Sequence, residues 1–104
     1  MIALQVARIV AHIALFLDTE DEDVLELDAA VDMQEWLAKQ LSELDPVFLR
    51  ELVDAFAVIA PEYSGDVQKS VRDIPYHFYL EEELAQDDPV RLAELDAIRD
   101  SRED

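Results

Sequence analysis

Residues 18–28 read DTEDEDVLELD, seven carboxylates in eleven positions with no lysine or arginine among them. Acids at this density can ligate a hard cation, work as an acid–base pair, solvate a connection, or present charge to a cationic partner. A calcium loop of the EF-hand type needs oxygen ligands at positions 1, 3 and 5, glycine at 6 and a bidentate glutamate at 12. Counting from Asp18 supplies Asp18, Glu20 and Glu22, but Asp23 then stands at the glycine position and Ala29 at the glutamate. Counting from Asp21 puts Leu25 where the third ligand is required. Neither register closes a calcium site. Transition-metal chemistry has less to work with: there is no cysteine, the only imidazoles are His12 and His77, and neither belongs to a Glu-x-x-His pair. No metal and no cofactor is expected.

Catalysis by paired carboxylates requires one pKa to be raised by burial or by a neighbour. Seven acids beside a helix end are expected to be exposed and ionised instead. No serine has a histidine at a motif-like distance, and the lone glycine, Gly65, rules out a glycine-rich phosphate loop. His12 falls on the polar stripe of the first helix, and His77 stands between Tyr76 and Phe78, where packing is its simplest role. The expected class is therefore not an enzyme.

Charge itself is what remains. The chain carries 26 acids against 8 lysines and arginines, a formal charge of -18. Nucleic acids and anionic membranes are repelled by such a surface, and cationic partners are drawn to it. A hydrophobic content of 51% is too high for intrinsic disorder, which needs low hydrophobicity together with high charge. At 104 residues the chain is expected to form one domain over 1–104, burying roughly two-thirds of its extended surface. The absence of cysteine fits a cytoplasmic location. The opening IALQVARIVAHIALFL has no basic leader, contains Arg8 and His12, and lacks a small-residue cleavage site, so it reads as a core helix and not as a signal.

The elements that would position these groups are helical. In residues 2–17, Ile2, Val6, Ile9, Val10, Ile13, Phe16 and Leu17 recur at three- and four-residue spacing, with Gln5, Arg8 and His12 opposite. A second helix is expected from Asp28, as N-cap, to Leu44, with Val31 or Ala30, Met33, Leu37, Leu41 and Leu44 facing inward. Asp45-Pro46 is a cap followed by proline at the first helical position. Phe48, Leu49, Leu52, Val53, Phe56, Ile59 and Ala60 then carry a third helix to Pro61, expected to pair with the second as a tight antiparallel hairpin. A turn at 61–66, a short helix at 67–73, a break at Pro75 and a helical turn or two in YHFYLEEEL follow. Asp88-Pro89 repeats the cap-and-proline signal before a last helix with Val90, Leu92, Leu95 and Ile98, ending in a frayed SRED tail. The expected architecture is an all-α, compact bundle of five to six helices.

Two segments stand out as partner surfaces. Acids near the start of helix two favour its N-terminal dipole, which accounts for Asp23 to Asp28 but not for Asp18 to Glu22. Val24, Leu25 and Leu27 are expected to anchor the run and hold Asp23, Glu26 and Asp28 outward. EEELAQDD at 81–88 is a second acidic cluster, preceded by the aromatics of YHFYL, and Trp36 is expected to be only partly covered. Tyrosine and tryptophan are common interface anchors. The candidate partner-contact residues are Asp18, Glu20, Asp21, Glu22, Asp23 and Glu26, with Tyr76, Tyr79 and Glu82.

In layout, the acidic run DTEDEDVLELD, the hairpin around LSELDPVFLRELVDAF and the segment YHFYLEEE resemble the small acidic helical immunity proteins of bacterial toxin–immunity pairs. The resemblance implies cytoplasmic residence and inhibition of a cognate toxin domain by tight binding that covers its active site. A basic toxin cleft would attract such a chain at association rates up to about 10⁸–10⁹ M⁻¹s⁻¹ at low salt. The alternative is a helical structural or regulatory module that self-associates, as a homodimer, through an apolar face of the sparsely charged first helix.

Overall fold

The computed structural model describes residues 2–19 and 27–103, and all the regular structure in them is helical. The order is α1 (Ile2–Thr19), α2 (Leu27–Ser42), α3 (Pro46–Ile59), a 3₁₀ turn (Ala60–Glu62), α4 (Gly65–Arg72), α5 (Ile74–His77), α6 (Leu80–Leu84) and α7 (Pro89–Glu103). Five of the helices have eight or more residues, which matches the all-α bundle read from the sequence. The segment 74–84 makes two short helices, where a helical turn or two was expected in 76–84.

Helix α3 is the centre. Asp45 accepts hydrogen bonds from the backbone N–H groups of Val47 and Phe48 at 3.1 and 3.2 Å, and Pro46 opens the helix. Leu49, Leu52, Val53, Ala55, Phe56 and Ile59 are all buried, so α3 turns one broad face into the core. Burial of each large apolar side chain contributes roughly 1.5–3 kcal/mol.

Helix α1 lies along α3, and it does so through a different stripe from the one its large residues predict. The buried side chains are Ala3, Ala7, Val10, Ala11, Ala14 and Leu17. Ile2, Ile9, Ile13 and Phe16 are 71, 55, 39 and 42% exposed. Small side chains let the two helix axes approach closely, and α3 already fills the shared core with leucine, phenylalanine and isoleucine. Of the expected stripe, Val10 and Leu17 face inward and Val6 is half-buried.

Helix α2 starts at Leu27, one residue before the expected cap, so Asp28 sits in its first turn. Ala30, Leu37 and Leu41 are buried, Leu44 is half-buried just beyond the helix, and Met33 and Val31 are exposed. The expected α2–α3 hairpin does not form: α2 rests on α1 and α6. Helix α1 takes the face of α3 that α2 would have needed, and the link Glu43-Leu44-Asp45 gives the chain room to turn away.

Beyond α3, Gly65 adopts φ +60° at the start of α4, a left-handed conformation that suits the only glycine in the chain. Pro75 opens α5 after α4 ends at Arg72, as the proline predicts. Asp88 accepts from the N–H of Arg91 at 3.1 Å to cap α7. That helix continues through Glu103, so the SRED segment is helical up to that point and not frayed. Only Leu95 of its apolar residues is buried, and Val90 and Ile98 are exposed. Something other than hydrophobic burial must hold α7.

Candidate protein-binding surfaces

Arginines hold it. The Arg99 guanidinium donates from Nε to Glu82 Oε2 at 2.6 Å, and from Nη2 to Glu82 Oε1 at 3.1 Å and to the Tyr76 carbonyl at 2.7 Å. It also lies over the rings of Tyr76 and Tyr79, 4.1 and 3.7 Å from their centroids. The pair is secluded, with side-chain exposures of 13% for Arg99 and 18% for Glu82. The bonds from Arg99 hold the Glu82 carboxyl below its usual range, against the opposing effect of burial. Arg102 stacks on Tyr76 at 3.8 Å and pairs with Asp73 at 2.9 Å, while Lys69 reaches the same Asp73 oxygen at 2.7 Å. Burial pushes the Asp73 carboxyl up, but the Lys69 and Arg102 bonds together carry it below its ordinary value.

Tyr79 makes this arrangement possible. It is the one described non-glycine residue with positive φ, at +57°, between α5 and α6. A left-handed tyrosine costs backbone energy that glycine would avoid. The tyrosine there turns the chain so that its own ring lies beneath Arg99.

The structure therefore brings Tyr76, Tyr79 and Glu82 together, and it gathers them around a cation of the same chain. Glu81 is engaged likewise, by two bonds from Arg50 at 2.8 and 2.9 Å, and Arg50 also pairs with Asp54. Five arginines (Arg50, Arg72, Arg91, Arg99 and Arg102) line one groove of about 350 Å³ between α3 and α7, with Asp54, Asp73, Glu81 and Glu82 among them. Its walls are stitched by ion pairs, and Val53, Pro75 and Leu95 supply apolar lining.

The first acidic region is arranged differently. Asp18 lies in the last turn of α1, while Glu20, Asp21, Glu22, Asp23 and Glu26 lie outside the described residues, as do Val24 and Leu25. From Asp28 onward the region continues as α2. Asp28, Asp32 and Glu35, spaced by four and three residues, share one exposed helix face. None of the ion pairs among the described residues involves an α2 side chain. Next to these acids on the helix surface stand Trp36 and Met33, 57 and 47% exposed. Trp36 is thus only partly covered, as its place beside Leu37 suggests, and Met33 is not a core residue.

Asp32 and Glu35 lie beyond the dense acidic run and are not apparent from it. The signal was present in the Asp28–Asp32–Glu35 spacing, continued by Trp36. Arg99 carried no such signal, since its partners lie 17 and 23 residues away in the chain.

His12 is exposed on α1, and His77 is exposed at the end of α5, edge-on to Tyr76 with centroids 5.7 Å apart. Among the described residues no group of three or more histidines and acids is placed to hold a metal ion. No described helix is long and apolar enough to cross a membrane. Comparison with family models, curated proteins and solved structures gives no match to this chain.

Proposed function

We propose that this chain is a non-catalytic binding protein that engages a cationic protein partner through the outer face of α2 and the acidic run leading into it. Within that class, we propose an immunity-type inhibitor that occludes a basic bacterial toxin domain. The observation that carries the reading is the α2 face itself: Asp28, Asp32 and Glu35 with no ion pair to a described cation, beside exposed Trp36 and Met33. An exposed tryptophan supplies the buried anchor of an interface, and surrounding carboxylates supply steering and register. Most of the chain's own cations are engaged elsewhere. Six of its eight, Arg8, Arg50, Lys69, Arg91, Arg99 and Arg102, are paired with other acids.

The test is affinity capture from the source cells with three baits: the wild type, Trp36→Ala, and Asp32→Lys with Glu35→Lys. The proposal expects one basic protein retained by the wild type and lost from both variants, and released by salt. It further expects that protein to be toxic when expressed alone and harmless when expressed with this chain. Retention of the same partner by both variants would remove α2 from the interface. A captured partner that is harmless alone would remove the immunity reading and leave the binding one. A second reading, self-association, is favoured by the outer face of α1.

A further inference from the structure

Helix α7 differs from the other long helices in what holds it. Among the described residues, the buried apolar core draws on α1 to α6 and the 3₁₀ turn, and takes nothing from α7. Leu95 is buried but lies outside that cluster, Leu92 is half-buried, and Val90 and Ile98 are exposed. The helix packs mainly on α6. Towards α3, the groove of about 350 Å³ leaves its inner side unfilled. Polar contacts do the holding: Arg99 and Arg102 reach Glu82, Asp73, the Tyr76 carbonyl and two tyrosine rings. Arg91 pairs only within α7, with Glu94.

We infer that α7 is a separately opening arm: it detaches as one unit while the α1–α6 bundle stays folded, and its release bares Tyr76, Tyr79, Glu82 and Asp73. The order of stabilities follows from the kinds of contact. A continuous apolar core joins α1 to α6, and it is lost only when the whole bundle unfolds. A segment with few buried apolar contacts opens locally, at a free energy below that of global unfolding. Once free, α7 is a 15-residue helix with no partner, and a helix of that length is marginal in water. Detachment and loss of its helical hydrogen bonds therefore occur together.

Opening changes what the molecule presents. With α7 docked, Arg99 lies over Tyr76 and Tyr79, and the Glu82 side chain is 18% exposed. With α7 released, both rings and the Glu82 carboxylate face solvent, while Asp73 keeps only Lys69. The aromatic-acidic surface of residues 76–82 is therefore fully available in the open state alone. The face of α2 is different: Asp32, Glu35 and Trp36 are already exposed with α7 in place, so its availability does not depend on the arm.

Native-state hydrogen exchange of the full chain, in sub-denaturing urea, tests the inference. Amides in the body of α7, residues 93–101, should exchange through one shared opening and be at least about tenfold less protected than those of α3, residues 50–59. Their opening should depend weakly on urea, because it exposes little surface, whereas α3 should follow the steep global dependence. Two variants separate the units. Ile59→Val weakens the core that the docked and open states share, so it should speed exchange in α3 by about 2- to 10-fold and leave α7 unchanged. Arg99→Ala weakens the docked state alone and should speed exchange in α7 by about 100-fold. Equal protection and equal urea dependence of α7 and α3 would overturn the inference. So would an Ile59→Val chain in which α7 accelerates together with α3, or an Arg99→Ala chain in which α7 exchanges at the wild-type rate.

Discussion

In residues 81–88 five carboxylates and no cation share eight positions, and three of the five are satisfied from within: Glu81 by Arg50, Glu82 by Arg99 and Asp88 by the first turn of α7. In α2, Asp28, Asp32 and Glu35 stand on one open face, with Lys39 as the only cation of their helix and no ion pair to it. Both regions carry clustered acids, but the local surroundings differ. Residues 81–88 sit between α3 and α7, whose arginines face them, so their acids hold a poorly apolar helix to the bundle. The acids of α2 sit over a helix that is already held by Ala30, Leu37 and Leu41, and contribute charge to the outside. A dense acidic run thus identifies neither a binding site nor a structural clamp until the positions of the cations are known.

The comparison breaks most visibly at Arg99. Arg99→Ala leaves a secluded Glu82 without its partner and removes the cover from two tyrosine rings, and should cost about 3 kcal/mol in urea denaturation. Limited proteolysis should then cut first in α7. The same truncation of Asp32 or Glu35 should change stability by less than about 0.5 kcal/mol. A large loss at Asp32 would mean that α2 is also clamped.

Acid titration sharpens the contrast further. The folded-state pKa values of Glu82 and Asp73 lie below their ordinary 4.5 and 3.8. Each therefore contributes stability that is fully present above the ordinary value and is lost as pH falls through the lowered one. Denaturation midpoints should drop below about pH 4.5, where the unfolded chain begins to bind these protons. Glu82→Gln should flatten that acid limb while lowering stability at pH 7. An unchanged limb would show that the Arg99 bonds do not depress the Glu82 carboxyl.

A smaller effect than at Arg99 is expected at Glu81. Its partner Arg50 is 45% exposed and keeps Asp54 as a second acceptor. Glu81→Gln should cost only about 0.5–1 kcal/mol at low salt, and less at 1 M NaCl. A loss as large as that of Arg99→Ala would mean that α6 depends on this exposed pair.

The caps Asp45-Pro46 and Asp88-Pro89 fixed two helix starts, because the residues that satisfy a free helix end are local. The break at Pro75 was local too. The orientation of α1 was not legible, since both its seams satisfy helical periodicity and only the size of the α3 residues decides that alanines face them. The position of α2 also escaped, because a short link to α3 suggested a hairpin while α1 took the available face. Tyr76, Tyr79 and Glu82 fall in one aromatic-acidic segment of the sequence. Arg99, which organises them, comes from a helix that nothing nearby in the chain connects to that segment.

The most direct test of the contrast is titration calorimetry of the captured basic partner against two variants of matched charge change. One carries Asp32→Asn and Glu35→Gln on α2, and the other carries Glu81→Gln and Asp87→Asn in the second cluster. The account predicts that the α2 variant loses about tenfold or more in affinity, and that the second variant binds within about threefold of the wild type. Equal losses, or a larger loss from the second cluster, would contradict it.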